Sequence, residues 1–265
     1  MPHSNAPLPQ FLCLNADLGE SFGPWTMGHD GEMMAHIQSA NIACGFHAGD
    51  ALVMRKTLGL ARQFGLSVGA HVAFPDLQGF GRRPMVLPPA ELKAMIQYQI
   101  GALQALARLE GLVLSHVKPH GALNNMAASD AATARVVAEA IAELDRELIL
   151  LAPAASCLTA AGIEFGLPIA AEIFADRAYT ESGELLSRRL PGAVLTDKAA
   201  ILQHVATMLK AGGIVTQSGR VIQSPIHSIC VHGDNLHAVA IAAALQQNLS
   251  EIGIKLCRLP EIIAR

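Results

Sequence analysis

Seven short apolar runs recur along this chain, and six of them end in polar or charged residues spaced two apart. The runs cover residues 11–17, 38–44, 66–72, 112–118, 147–153, 167–174 and 227–233. Alternate residues of a strand share a face. Asn15 and Asp17 therefore point the same way, as do Ser39 and Asn41, Gly69 and His71, and His116, Lys118 and His120. Glu172 and Asp176 form another such set, and Cys230, His232 and Asp234 the last; only LILLAP lacks one. An unpartnered polar group at the end of a buried strand is costly, so an ordinary core does not place them there repeatedly. A catalytic face does.

Segments with helical periodicity separate the runs: 29–38, 51–64, 89–110, 130–146, 155–164, 197–211 and 236–252. Their ends are readable, with Pro88 and Pro89 opening 89–110, Gly111 and Gly253 closing helices, and Asp50, Ser129 and Thr196 as N-cap residues. Strand alternating with helix, in runs rich in Val, Ile, Leu and Ala, specifies parallel strands covered on both sides. Seven such strands fit an open doubly wound sheet or a barrel. Only a barrel converges all the polar strand ends on one site, so the expected fold is α/β, a seven-stranded TIM-like (β/α) barrel. At 265 residues the chain has the length of one such domain. The barrel is expected over 11–265, after a disordered leader at 1–10 that lacks signal-peptide character. Residues 178–190 and 214–224, each with Ser-Gly between extended residues, read as hairpins or protruding loops and as candidate docking elements.

Composition narrows the function. Hydrophobic residues make up 51% and charged residues 15%, which excludes disorder, and a net charge of −3 without a basic run argues against nucleic acid or anionic membrane as partner. No apolar run approaches the twenty or so residues that span a bilayer. Cys13, Cys44, Cys157, Cys230 and Cys257 form no C-x-x-C pair and sit mostly in apolar runs. A soluble cytoplasmic location is expected.

Chemistry is carried by several stretches. Asp17, with Asn15 behind it, suits a general base, a metal ligand or an anchor for a substrate amide; a loop-capping role before Gly19 is the plainer alternative. His47 and His71 with Asp17 make an Asp/His/His set of the zinc-binding kind, although the spacing matches no short zinc motif. In FPDLQGFGRR at 74–83, Arg82 and Arg83 offer guanidinium forks for a carboxylate or phosphate. HVKPHG at 116–121 directs Lys118 and His120 into the same site as oxyanion stabiliser and proton carrier. Glu172, Asp176 and Arg177 provide countercharge, and His232 and Asp234 complete the ring at the last strand. The chain has no G-x-x-x-x-G-K-[ST] phosphate loop, no Rossmann glycine fingerprint and no G-x-S-x-G elbow.

LNADLGESFG at 14–23, SANIACGFHAGD at 39–50, FPDLQGFGRR at 74–83, HVKPHGAL at 116–123, EIFADRAY at 172–179 and CVHGDN at 230–235 together resemble the lactam-utilisation (LamB/YcsF-type) family, understood as the A component of prokaryotic 5-oxoprolinase. That resemblance implies a barrel similar to the glycoside hydrolase/deacetylase superfamily. It also implies ATP-dependent opening of the 5-oxoproline lactam to L-glutamate, with subunits B and C as partners. ATP, with magnesium, would be a co-substrate held here or on a partner; no tightly bound metal is assigned. Residue chemistry then gives Lys118, Arg82 and Arg177 anion-binding roles and makes Asp17 or Glu172 the base. His71, His120 or His232 would move protons, with His47 also catalytic, and Asn15, Asn41, Asp176 and Asp234 would contact substrate. Val72 and Ala73 after the third strand, and Asn124 where the family has tyrosine, depart from the family pattern beside the expected site. Two other readings stay open: a metal-dependent, deacetylase-like amide hydrolase using Asp17, His47 and His71, and a non-catalytic substrate-binding subunit.

Overall fold

A computed structural model describes residues 7–231 and 238–264. His232 and Asp234 lie outside the described residues, as does most of the expected leader. The strands in chain order are β1 (Phe11–Leu18), β2 (Ser39–Ala43), β3 (Ser67–Val72), β4 (Leu114–Pro119), β5 (Ile149–Pro153), β6 (Ile169–Phe174), β7 (Gly213–Val215), β8 (Val221–Gln223), β9 (Ser228–Cys230) and β10 (Lys255–Leu256). β1 to β6 pair consecutively in parallel, β6 pairs with β9, and β9 pairs back to β1. The seven expected strands thus close a parallel barrel.

Apart from β5, which is apolar throughout, the barrel strands are apolar outward and polar inward toward their C-terminal ends. Leu12, Leu14, Ala16 and Leu18 of β1, Ala40 and Ile42 of β2, and Val68, Ala70 and Val72 of β3 join one large core with the surrounding helices. Their i+1 neighbours face the barrel axis. At the N-terminal end the axis is filled by Cys13, Ile149, Leu151 and Ala170, closed from below by Leu259. Leu259 opens the short helix Leu259–Ile263, which, like β10, the sequence pattern did not announce. Five residues are too few to establish a helical period.

Asp50 caps the helix Ala51–Gln63, accepting from Leu52 N at 2.9 Å and Val53 N at 3.1 Å. The expected caps Ser129 and Thr196 are each displaced by one residue. Asp130 accepts from Thr133 N and Asp197 from Ala200 N, a carboxylate being the stronger acceptor for exposed helix N–H groups. Ser129 instead ends a separate helix, Gly121–Ser129, and its hydroxyl donates back to the Asn125 carbonyl. Residues 214–224 form the expected hairpin as the antiparallel β7–β8 pair. The other segment, 178–190, makes only an isolated Tyr179–Leu185 bridge and folds over the barrel mouth.

Candidate active site

The inward polar residues meet around Lys118, which is 2% exposed. Its Nζ lies 3.1 Å from Asp17 Oδ1 and 3.1 Å from Glu172 Oε1. It also donates to Asn15 Oδ1 at 3.2 Å and to Cys230 Sγ at 3.1 Å, and stands 5.4 Å from the centre of the Phe174 ring. Burial alone would depress the ammonium, but Asp17 first, then Cys230 and Glu172, outweigh it and hold Lys118 well above its usual value. Glu172, 1% exposed, is raised by burial even though Lys118 and Asn15 pull it down. Lys118 therefore keeps its ammonium, held between the Asp17 and Glu172 carboxyls.

Amides and an imidazole hold this centre in register. Asn15 Nδ2 donates to Glu172 Oε1 and to Ser228 Oγ, both at 2.7 Å. Asn41 Nδ2 donates to Asn15 Oδ1 at 2.7 Å and Asp17 Oδ1 at 2.9 Å, while Asn41 Oδ1 accepts from His116 Nε2 at 2.9 Å. Burial, and next the charge on Lys118, push His116 down to about 3, so its ring is neutral. Gly69 makes this arrangement feasible. A Cβ there would come within 2.2 Å of the His116 ring, so only glycine lets the imidazole cross to Asn41.

A histidine cluster adjoins the lysine centre through Asp17, whose Oδ2 is 3.2 Å from His71 Nε2. His71 Nδ1 donates to the Lys118 carbonyl at 2.9 Å, and His120 Nε2 donates to the Phe80 carbonyl at 2.8 Å. His47 stacks on His120 with centroids 3.9 Å apart, and its Nε2 is 3.1 Å from Glu20 Oε1. Burial, then the neighbouring imidazoles, hold His47 and His120 well below the usual imidazole range. The loop carrying His47 needs Gly49 at φ 80°, where a Cβ would sit 2.7 Å from both the Ala43 and Gly19 carbonyls. The Gly49 N–H donates to the Ser21 carbonyl at 3.0 Å, tying together the loops after β1 and β2 that carry Glu20 and His47.

The cluster and Lys118 open into a cavity of about 780 Å³. Asp17, Glu20, His71, Lys118, His120 and Arg82 line its barrel side, and Arg177, Arg188 and Arg189 its far wall. The segment 178–190, expected as a docking element, contributes that wall from Ser182 to Arg189. Arg177 is buried, with Nη2 donating to the Leu186 carbonyl at 2.5 Å and Nε to the Ala193 carbonyl at 3.3 Å, so it organises the wall as well as lining it. Its neighbour Asp176 is buried and accepts from Leu195 N through its backbone carbonyl.

The expected pair of anion forks at Arg82 and Arg83 is corrected. Arg83 Nε donates to Asp76 Oδ1 at 2.7 Å and holds the 76–83 turn closed, leaving Arg82, which packs over Phe80 at 5.1 Å, as the fork facing the cavity. Asn124 is buried on the cavity wall, and its Oδ1 has no hydrogen-bond partner among the described residues. Val72 and Ala73 are fully buried, the Ala73 backbone being bonded in both directions by Gln99. These two departures lie behind the site.

Asn15, Asp17, Asn41, Lys118 and Glu172 are thus brought together, with His47, His71 and His120 beside them. Glu20 was missed. Its one signal was a second carboxylate three residues beyond Asp17 at the same strand end.

A family model described as the LamB/YcsF family matches residues 12–264. The 5-oxoprolinase A subunit of Azoarcus sp. (strain BH72) is 58% identical over 249 residues, which is 94% of this chain and 97% of that relative. The protein of the same description from Pyrococcus horikoshii is 49% identical over 250 residues, 94% of this chain and 98% of the relative. Among solved structures, the lactam utilization protein from Thermus thermophilus matches with a TM-score of 0.86 at 39% identity, covering 93% of this chain and 98% of that one. A structure described as T48 deacetylase with substrate matches at 0.51 and 13% identity over 97% of this chain and 92% of that one, a likeness of fold alone.

Proposed function

The chain belongs to the LamB/YcsF family, and from that premise we propose that it is the A subunit of a 5-oxoprolinase, opening the 5-oxoproline lactam to L-glutamate at the expense of ATP. The observation that carries this reading is the buried Lys118 ammonium, held by Asp17 and Glu172 at the floor of an arginine-walled cavity. A five-membered lactam is a stable amide that re-forms readily from glutamate, so its opening needs an activated carbonyl. Lys118 supplies the cation for the negative charge that develops on the lactam oxygen. Arg82, with Arg188 and Arg189 opposite, matches the substrate carboxylate and phosphoryl oxygens in kind.

ATP transfers its terminal phosphoryl group to the lactam oxygen and leaves as ADP. Water, giving a proton to Asp17, adds to the ring carbon. The carbon–nitrogen bond breaks as the ring nitrogen takes the proton that Asp17 accepted from water, leaving an acyl phosphate. A second water releases phosphate and yields L-glutamate. Asp17 is the base of the two carboxylates because it lines the cavity, whereas Glu172 is sealed beneath Lys118 and orients it. The cavity of about 780 Å³ exceeds what the lactam alone requires, which leaves room for the phosphoryl donor or for a segment of a partner protein.

The test is formation of ADP and glutamate from 5-oxoproline by the chain alone, by partner subunits B and C, and by the three combined. Activity requiring this chain supports the reading. No glutamate under any of the three conditions overturns it.

A further inference from the structure

We propose that Glu20, His47, His71 and His120 form a binding site for one divalent transition-metal ion of the zinc class, placed at the cavity wall beside Asp17. One ligand atom from each of the four lies within 4.8 Å of the others. They arrive from four successive strand ends: Glu20 after β1, His47 after β2, His71 on β3 and His120 after β4. The site stands whichever reaction the barrel performs, because metal content reads it directly.

The hydrogen bonds of the rings supply an independent argument. A backbone carbonyl only accepts, so the Lys118 carbonyl fixes the proton of His71 on Nδ1, and the Phe80 carbonyl fixes that of His120 on Nε2. The remaining nitrogens, His71 Nε2 and His120 Nδ1, then face each other at 2.9 Å with a lone pair each. Two lone pairs at that distance repel unless a cation lies between them. Metal-binding histidines have this outer geometry, with one nitrogen donating to a carbonyl and the other turned to the ion. His47, fully buried, adds a third imidazole, its Nε2 turned to Glu20 Oε1 at 3.1 Å.

Three imidazoles and one carboxylate make a donor set for zinc, cobalt or nickel. Magnesium and calcium prefer oxygen ligands throughout, so this site is separate from any magnesium that accompanies ATP. Bound there, the ion would supply fixed positive charge to a cavity whose other cations are lysine and arginine. Asp17 keeps its bonds to Lys118 and Asn41 on one oxygen while the other faces His71.

The experiment uses the untagged full chain, purified without chelator, for elemental analysis, followed by zinc calorimetry and cobalt(II) absorption after metal removal. The expected result is about one ion per chain as purified, one equivalent of zinc rebound, and the visible bands of imidazole-ligated cobalt. His71→Ala combined with His120→Ala should weaken zinc binding at least ~tenfold. Wild-type protein with no bound metal, no zinc heat and no cobalt bands overturns the proposal and leaves a proton as the shared cation. So does a folded double variant that binds zinc as tightly as wild type. Because the elemental, calorimetric and cobalt readouts are made on the wild type, a variant that fails to fold does not blunt the test.

Discussion

Lys118 Nζ stands 3.1 Å from Asp17 Oδ1, joining β4 to β1 across two intervening strands. The pair is nearly dry on the lysine side, which is 2% exposed, whereas Asp17 borders the cavity. The ammonium thus has one buried carboxylate beneath it and one that borders the cavity. Removing the cation leaves Glu172 buried without its charge partner. Lys118→Met is expected to cost about 3 kcal/mol in denaturant unfolding and to slow glutamate release by roughly 10²–10³. Adding Glu172→Gln should recover part of the stability and none of the rate.

Gly69→Ala tests whether the His116–Asn41 contact holds the centre in register. The new methyl overlaps the His116 ring, so the imidazole must move or β3 must shift. An unfolding cost of about 1–3 kcal/mol is expected, together with a fall in turnover. A fully stable, fully active variant would show that the crossing is dispensable.

The pH dependence of stability has a defined contributor in Asp50. The Gly23 N–H first, then that of Val53, hold its carboxylate below the ordinary range. A depressed folded value means that this stabilisation is present above the unfolded pKa, roughly 4, and is lost as pH falls through the folded value. Asp50→Ala should cost about 1 kcal/mol near neutral pH, and thermal melts of the two proteins should converge as pH drops below about 4. A gap that stays constant down to strongly acidic pH contradicts the capping account.

The bottom of the barrel should affect stability without affecting chemistry. Leu259 is fully buried against Cys13, Ile149, Leu151 and Ala170, at the end opposite Lys118. Leu259→Ala is expected to destabilise by about 2–5 kcal/mol while leaving turnover below the new melting point unchanged. A large drop in turnover with stability intact would mean that the two ends are coupled.

The barrel was legible because period-two polar residues recur at strand ends. Asn15 with Asp17, and His116 with Lys118, announced an inward face before any pairing was known. The same logic fails two residues beyond the strand. Glu20 follows Gly19 at φ 70°, where the backbone has left the extended region and spacing no longer predicts direction. Arg83 read as an anion fork because its partner Asp76 is seven residues away and reaches it only through the turn between them. The segment 178–190 read as a protrusion because nothing local reports that Arg177 draws the Leu186 and Ala193 carbonyls back over the barrel. Local period was readable, and closure by side chain to distant backbone was not.

The central claim is that lactam opening takes place on this chain, with Asp17 as base. The most direct measurement is single-turnover glutamate release by the complex reconstituted with Asp17→Asn, alongside its assembly with the partner proteins. Assembly should be unchanged and release slowed by roughly 10²–10⁴. A complex that assembles and releases glutamate at the wild-type rate contradicts the claim and makes this chain a delivery component.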